Sequence, residues 1–219
     1  KMDIEESINL LKKAGYKTIL GKNALKNTTG YGATAKEKAD DINDMYKNKE
    51  VKAILSIKGG FNSNSVYEYL DIELIKKNNK ILCGYSDSTS YINYIHEKTG
   101  NICFIGPNLK SLNSWETDYS FKEMLDHFEN ESLDLLKADD ECTCINEGIA
   151  KGKLIGGNLS LITNMIEELD FNEKILFLEE LSIESPPALV SNYMYKLKQN
   201  GVFNNISGLW FGNYEGEYS

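Results

Sequence analysis

The chain has 219 residues and a formal net charge of −9, with 33 acidic side chains against 24 basic ones. A protein that tracks the phosphates of a nucleic acid needs a basic face, so this charge balance disfavours a nucleic-acid partner. Hydrophobic residues make up 41% of the chain, which is enough for a packed core. No run of residues approaches the ~20 apolar positions of a membrane-spanning helix. We predict one large or two small globular domains and no membrane partner.

The four cysteines predict neither a metal site nor a disulfide framework. Cys83 and Cys103 lie inside apolar, strand-like runs, and the pair Cys142 and Cys144 has no second pair at a metal-ligand spacing. The first eleven residues predict an acidic amphipathic helix and not a signal peptide. We therefore predict reduced structural thiols, no metal, no cofactor and a cytoplasmic location.

Helices and strands alternate along the first half of the chain. Apolar positions at helical spacing predict a first helix that ends at Gly15, and Thr34 is the predicted N-cap of a helix that runs to about Lys49. The other elements predicted here are strands at 16–20, 51–57 and 81–83 and helices at 64–69 and 88–98. Alternation at this spacing predicts a parallel sheet with helices on both faces.

The composition changes after about residue 128. Residues 129–141 are acidic and polar, without an aromatic side chain, and we interpret them as a linker. Beyond them, the pattern predicts strands at 142–146, 175–178 and 206–211 and helices at 159–169 and 188–199. We predict an α/β fold in which residues 1–128 form an N-terminal domain. Residues 129–219 would form a smaller, incomplete C-terminal domain of mixed strands and helices.

The most informative segment joins the predicted strand at 81–83 to the helix that follows it. The strand runs into Gly84-Tyr85-Ser86 and a helix starts at once. This is the layout of a nucleophile elbow, in which a tight turn holds a serine hydroxyl out at the C-terminal edge of a sheet. The amide of Asp87 then lies at the helix N-terminus, where it favours a developing oxyanion. Ser86 is thus a candidate nucleophile, and Asp87 is a candidate oxyanion-hole residue.

Helix capping is an equally good interpretation of this segment taken alone. Ser86, Asp87, Ser88 and Thr89 are all favourable N-cap residues. Ser88 also stands where the Gly-x-Ser-x-Gly pattern has its last glycine. The two interpretations differ in the structure they require. A capping serine bonds to the amide of Ser88 or Thr89, whereas a nucleophile faces a cleft from a strained backbone conformation.

Three further motifs are weak when each is taken alone. Gly59 and Gly60 follow the strand before the elbow, and the amides of such a pair can complete an oxyanion hole. The segment Gly156-Gly157-Asn158 precedes a predicted helix and is interpreted as a turn. Glu179 and Glu180 follow an apolar run, which is typical of a strand that runs out into solvent.

Taken together and in order, these segments resemble the LD-carboxypeptidase family of serine peptidases. Its members include the muropeptide LD-carboxypeptidases and the immunity peptidases that inactivate microcin C. The order and spacing of the matching blocks make the resemblance specific. The blocks are 53–60, 84–89, 104–107, 152–159, 175–180, 196–198, 201–203 and 206–212.

The resemblance implies a Ser–Glu–His triad in that chain order. Ser86 would attack the scissile carbonyl, and Glu179 would orient the histidine and stabilise its charged form. The backbone amides of Gly60 and Asp87 would hold the oxyanion. The resemblance further implies a homodimer and a small peptide, muropeptide or peptidyl-nucleotide substrate.

Two positions near these residues depart from the family pattern. Glu180 stands where the family usually has aspartate, a conservative change. Lys58 stands where the family commonly has arginine ahead of the two glycines. Because lysine lacks the planar fork of arginine, a bidentate grip on a carboxylate is not expected there.

The catalytic histidine of the triad has no good candidate in this sequence. His96 lies ten residues after Ser86 on the helix that leaves the elbow, so roughly 15 Å separate them along the axis, whereas a base needs about 3 Å. His127 precedes Glu179, which breaks the family order. The family takes its base from a Gly-His segment after the last strand seen here. We expect that segment to lie outside the chain, and little catalysis without it.

Three functions stay open from the sequence: cleavage of the amide before a terminal D-Ala of muropeptides, cleavage of a peptidyl or aminoacyl nucleotide, and non-catalytic binding of a small peptide in the same cleft. Immunity-type members stack an aromatic residue on the adenine, and residues 131–149 contain no Trp, Tyr or Phe. This favours the muropeptide carboxypeptidase. The segments 184–186 and 202–203 look more like the immunity branch.

Overall fold

The computed structural model describes residues 4–113, 118–130 and 143–212. These residues form two separate three-stranded sheets, and every strand pair in both is parallel. In each sheet the strands lie in chain order: β1 (Ala53–Leu55), β2 (Ile81–Gly84) and β3 (Cys103–Ile105), then β4 (Leu154–Asn158), β5 (Ile175–Glu179) and β6 (Gly208–Phe211). The predicted α/β fold is confirmed.

The described residues contain eight α-helices and four short 3₁₀ helices. The α-helices are α1 (Glu5–Lys13), α2 (Ala35–Lys47), α3 (Ile72–Lys77), α4 (Thr89–Thr99), α5 (Asp118–Glu129), α6 (Leu159–Asn164), α7 (Pro187–Gln199) and α8 (Val202–Asn205). The 3₁₀ helices are Ser63–Tyr69, Ser86–Ser88, Leu109–Asn113 and Ser182–Glu184. Helix α2 starts as predicted, because the Thr34 hydroxyl accepts from the Glu37 amide while the Glu37 carboxylate accepts from the Thr34 amide.

Helices cover both faces of the first sheet. On one face, Leu82 is fully buried with apolar side chains of α2, α3 and α4. On the other face, Leu55 packs against a cluster that includes Leu11 of α1 and Met124 of α5, and the ring of Phe104 lies 5.5 Å from that of Phe128. This arrangement confirms the predicted parallel sheet with helices on both faces.

The second sheet packs its own core and docks on helix α4 of the first. Leu176 and Leu178 are fully buried with side chains of α6 and α7. The Asn93 side chain of α4 donates to the carbonyl of Gly156 in β4 at 2.9 Å. An ion pair of 3.0 Å between Lys174 and Glu97 adds to the same contact. Helix α4, which follows Ser86, therefore also contacts β4 of the second sheet.

Several predicted elements differ from the structure. Residues 16–20 are not a strand: Ile19 and Leu20 are exposed, and no strand of the described residues pairs with them. The described part of 142–146 is not a strand either, and Ile145 is 80% exposed, while Cys142 lies outside the described residues. Residues 63–69 form a 3₁₀ helix, α6 ends at Asn164 and not near 169, and α3 was not predicted.

The predicted domain boundary between residues 128 and 129 falls at the end of α5, just ahead of residues 131–142, which lie outside the described ranges. The boundary stays a prediction. In the parts of the chain that the structure describes, no helix is both long and apolar enough to cross a membrane.

Candidate active site

Ser86 sits at a sharp turn between β2 and helix α4. Tyr85 before it is extended, with φ −144° and ψ −176°. Ser86 itself has φ 60°, in the left-handed region that residues other than glycine rarely adopt. Local strain of this kind persists where the surrounding structure holds it in place. The predicted strained strand-to-helix turn is confirmed.

The Ser86 hydroxyl is not a helix cap. Neither the 3₁₀ helix at 86–88 nor α4 has a side-chain cap hydrogen bond at its start. Among the described residues, the hydroxyl accepts from the amide of neither Ser88 nor Thr89. Ser86 borders a cavity of about 270 Å³ instead. Of the two interpretations open from the sequence, the geometry is that of a nucleophile elbow.

Neighbouring residues hold this turn and leave room for it. Asn108, only 2% exposed, accepts from the Tyr85 amide at 3.3 Å and donates to the Tyr85 carbonyl at 3.4 Å. A side chain on Gly84 would overlap the Ser56 hydroxyl. A Cβ on Gly59 would lie 2.8 Å from the Ser86 hydroxyl oxygen. Glycine at these two positions is therefore a requirement of the elbow's close packing.

The Gly59–Gly60 loop lies against the residue that follows the serine. A Cβ on Gly59 would be 3.7 Å from the Asp87 nitrogen, and one on Gly60 would be 3.8 Å from a carboxylate oxygen of Asp87. That carboxylate accepts from the Ser63 amide at 3.1 Å. Burial raises the pKa of Asp87, and the bond from Ser63 opposes this shift. The loop and the elbow meet, and the oxyanion-hole roles of the Gly60 and Asp87 amides stay predictions.

Asn158 and Glu180 form a buried polar pair at the end of the second sheet. Asn158 caps α6, accepting from the Leu161 amide at 3.3 Å and the Ser160 hydroxyl at 2.7 Å. Its side-chain amide donates to the Glu180 carboxylate. Glu180, 5% exposed, also accepts from the amides of Ser160 at 3.1 Å and Leu181 at 3.0 Å. Glu180 is thus fully engaged in holding α6 to the end of β5.

Glu179 has a different environment, although it is the adjacent residue. It pairs with Asn158 across β4 and β5, and its Oε1 is buried without a hydrogen-bond partner among the described residues. Burial, together with the nearby charges of Glu180 and Glu184, raises the pKa of Glu179 to about 7. A buried acceptor of this kind is suited to a cationic N–H donor, such as an imidazolium.

The cavity brings together three of the four predicted site residues. Gly60, Ser86 and Asp87 line it from the first sheet, and Asn158 lines it from the second. Glu179 is not a lining residue, although it is the register partner of Asn158. The triad role of Glu179, which would act on Ser86 through a histidine, stays a prediction.

The two histidines have local partners and do not line the cavity. The His96 Nδ1 lies 2.7 Å from the Asn101 carbonyl oxygen, and the His127 Nδ1 lies 2.8 Å from the Glu123 carbonyl oxygen. In the described ranges, no group of three or more His, Cys, Asp and Glu side chains is placed to hold a metal ion.

The Gly156–Gly157 pair has a role that sequence analysis missed. It belongs to strand β4 and is not a turn. Its φ values are 146° and 130°, which side chains disfavour, and a Cβ on Gly157 would lie 2.8 Å from the Thr89 hydroxyl. The Thr89 hydroxyl accepts from the Asn158 amide at 3.3 Å. The two glycines therefore let β4 approach the start of α4. Asn158, which follows them, is a favourable N-cap residue, and this was the sequence signal for the start of α6.

A strained serine elbow at the carboxyl edge of a parallel sheet, beside a cavity, is typical of serine hydrolases. The chain matches the model of the LD-carboxypeptidase N-terminal domain over residues 1–106 and that of the LD-carboxypeptidase C-terminal domain over residues 151–218. The chain belongs to the LD-carboxypeptidase family of serine peptidases. The predicted family is confirmed.

Relatives from two branches of the family resemble the chain. The probable murein peptide carboxypeptidase of Bacillus subtilis is 33% identical over an alignment of 215 positions, and the alignment covers 94% of this chain and 66% of the relative. The microcin C7 self-immunity protein MccF of Escherichia coli is 29% identical over an alignment of 241 positions, and the alignment covers 95% of this chain and 69% of the relative. The chain thus spans about two thirds of the length of these relatives.

Solved structures show the same fold. The crystal structure of an MccF-like protein from Bacillus anthracis matches with a TM-score of 0.85 at 26% identity, covering 96% of this chain and 72% of that one. A structure of MccF in complex with aspartyl sulfamoyl adenosine matches with a TM-score of 0.82 at 27% identity and the same coverage.

Proposed function

We propose that this chain carries the nucleophile and the acid of a serine carboxypeptidase that hydrolyses the amide bond before a terminal D-Ala of muropeptides. The observation that carries the proposal is Ser86, held at φ 60° in an elbow that borders a cavity. Membership of the LD-carboxypeptidase family supports the reaction class.

In the proposed mechanism, the Ser86 oxygen attacks the scissile carbonyl carbon, and its proton passes to a histidine base. The amides of Gly60 and Asp87 hold the negative charge that develops on the carbonyl oxygen. The base then protonates the leaving amine as the C–N bond breaks, and water hydrolyses the acyl-enzyme. Glu179 accepts a hydrogen bond from the base and stabilises its charged form. Its buried, unpartnered oxygen supports this role.

The choice of substrate rests on sequence features of the chain and on its relatives. The murein peptide carboxypeptidase of Bacillus subtilis is 33% identical to this chain, which supports a muropeptide substrate. Peptidoglycan recycling in the cytoplasm and a homodimer belong to the same proposal. Light scattering of the purified full-length protein tests the dimer, and a monomeric mass would contradict it.

Cleavage of an aminoacyl nucleotide is the second candidate function. The structural likeness to MccF with aspartyl sulfamoyl adenosine favours it. Phe61 also favours it, because this side chain borders the cavity and is 67% exposed. An exposed aromatic ring is a platform on which a base can stack, and it would replace the aromatic residue that residues 131–149 lack.

The test compares two substrates and two serine variants of the full-length protein. Mass spectrometry follows release of D-Ala from the peptide L-Ala-γ-D-Glu-L-Lys-D-Ala and cleavage of a glutamyl adenylate analogue with a hydrolysable amide. We expect D-Ala release, and we expect Ser86→Ala to lower kcat at least about 10⁴-fold, because no other group replaces the nucleophile.

Ser88→Ala is the matched control, since Ser88 lies two residues away in the same segment and does not line the cavity. We expect its kcat to stay within about tenfold of wild type, a margin that allows for packing changes of about 1 kcal/mol. Cleavage of the nucleotide alone would favour the second candidate. Binding of the peptide without cleavage of either substrate would favour a non-catalytic binding domain.

A further inference from the structure

Among the described residues that line the cavity, the formally charged side chains are all acidic. They are Asp87 on the side of the first sheet and Glu168 and Glu184 on the side of the second. Among the described residues, no lysine, arginine or histidine lines it. Desolvation strengthens electrostatic interactions inside such a space, so the cavity favours a substrate group that is positively charged.

Glu168 has a carboxylate oxygen that the described part of the protein leaves without a partner. Its Oε2 is buried without a hydrogen-bond partner, and no ion pair of the described residues includes it. By contrast, the Asp87 carboxylate accepts from the Ser63 amide. A buried carboxylate oxygen without a donor is unfavourable unless a ligand supplies one.

The backbone of Glu168 is held in a turn, and packed side chains line the same cavity. The Glu168 amide donates to the Met165 carbonyl at 3.0 Å, in the turn that follows α6, and Met165 is itself a buried lining residue. Tyr67, a further lining residue, stacks on Tyr94 with ring centroids 4.0 Å apart. The wall that carries Glu168 is therefore built of packed side chains.

We propose that Glu168 recognises an ammonium group of the substrate and makes the enzyme selective for peptides that carry one. The group is either the side-chain ammonium of a diamino acid next to the scissile bond or the free α-ammonium of a short peptide. Both present the same N–H donors and the same charge to the carboxylate. This inference rests on the proposed function, since it assigns a specificity role inside the same cavity.

The experiment compares four peptides based on L-Ala-γ-D-Glu-X-D-Ala, in which X is lysine or norleucine and the N-terminus is free or acetylated. Calorimetry measures binding to the full-length Ser86→Ala protein, and kinetics measure hydrolysis by the full-length protein with Ser86 intact. A charge-assisted hydrogen bond predicts at least about tenfold weaker binding when the recognised ammonium is removed. Weaker binding of the norleucine peptides than of the lysine peptides would identify the side-chain ammonium as the recognised group. Weaker binding of the acetylated peptides than of the free ones would identify the α-ammonium.

Glu168→Gln should reduce this preference to less than about threefold and raise KM for the ammonium peptide more than it changes kcat, because the charge is lost while the shape is kept. Glu167→Gln is the matched control, since Glu167 is the adjacent, exposed residue and does not line the cavity. It should leave the preference unchanged. If Glu168→Gln lowers the melting temperature, Glu184→Gln is the alternative variant, because it removes a different negative charge from the same cavity. It should also reduce the preference for the ammonium peptides.

The outcomes separate this inference from the proposed function. Hydrolysis that survives Ser86→Ala contradicts the proposed function, and the binding measurements still decide the ammonium preference. Equal binding of all four peptides overturns the inference while leaving the peptidase proposal standing. A preference that Glu168→Gln does not reduce also overturns it, because the ammonium is then recognised elsewhere.

Discussion

The carboxyl edges of the two sheets are each built from three parallel strands, yet they hold their polar groups in opposite ways. At the edge of the first sheet, Ser86 is held in a left-handed conformation beside the cavity. At the edge of the second sheet, Glu180 is buried among hydrogen bonds to Asn158, Ser160 and Leu181. The serine is presented outward, whereas this carboxylate holds the structure together.

Glu179 lies at the carboxyl edge of the second sheet, next to Glu180, but its environment differs from that of Glu180. One oxygen of the Glu179 carboxylate is buried without a partner in the described part of the chain, and the pKa of this carboxylate is raised to about 7. A group kept only for stability would be expected to have partners, as Glu180 has. We therefore expect Glu180 to stabilise the fold and Glu179 to serve the proposed chemistry at a cost in stability.

The largest expected effect that tests this division is on catalysis by Glu179. In the full-length protein, Glu179→Gln should lower kcat by roughly 10²–10⁴-fold with little change in KM, because the acid acts through the base and not on the substrate. Steady-state kinetics of D-Ala release measure both constants. Near-normal turnover would mean that Glu180 orients the histidine base instead, or that the triad assignment is wrong.

A large effect on stability is expected at Glu180. Glu180→Ala should lower the free energy of unfolding by about 2–4 kcal/mol, since it leaves the Asn158 side chain and the Ser160 amide buried without an acceptor. Urea denaturation of this chain measures it. Glu179→Ala is the matched control and should destabilise clearly less; if the two variants lose equal stability, the division between these carboxylates is wrong.

A smaller effect is expected at the first edge, from Gly59. Gly59→Ala places a methyl group 2.8 Å from the Ser86 hydroxyl oxygen, so the serine must shift. We expect kcat of the full-length protein to fall about tenfold or more, since misplacement near the reacting atom weakens its alignment. Gly60→Ala, whose methyl group would be 3.8 Å from the Asp87 carboxylate, should lose less. The reverse ranking would contradict the close approach of Gly59 to the nucleophile.

The smallest expected effect is on the pH dependence of stability. The folded-state pKa of Glu179 is about 7, above its ordinary value of 4.5, so between these pH values the folded chain holds a proton that the unfolded chain has lost. Its contribution therefore becomes less favourable as pH rises from about 4.5 to 7. Relative to Glu179→Gln, wild type should lose on the order of 1–2 kcal/mol of unfolding free energy across this window.

Urea denaturation of both proteins at pH 5 and pH 8 measures this difference. Glu173→Gln serves as the control, because Glu173 lies on the exposed turn just before β5 and should follow the wild-type profile. Identical pH profiles for wild type and Glu179→Gln would show that the Glu179 carboxylate is not protonated in the folded chain near neutral pH.

The sequence by itself determined the first edge of the molecule. An apolar strand, Gly84, Ser86 and an immediate helix lie within a few residues, and the backbone of a tight turn depends on residues that are neighbours in the chain. The position of Ser86 at a strained turn could therefore be predicted, as could the glycine pair before it. The choice between nucleophile and cap could not be made locally, because it depends on a cavity that residues such as Asn158 help to line.

Only the tertiary structure decided the second edge. Gly156 and Gly157 looked like a turn because glycine disfavours strands, and the contact of β4 with Thr89 that requires them joins residues 68 apart (157 − 89). Glu179 and Glu180 are chemically alike in the sequence, but Glu179 is the last residue of β5 and Glu180 is the first residue after it. Which of them receives hydrogen bonds depends on where Asn158 and the start of α6 lie. Those positions are set by the packing of one sheet on the helix of the other, which no local pattern specifies.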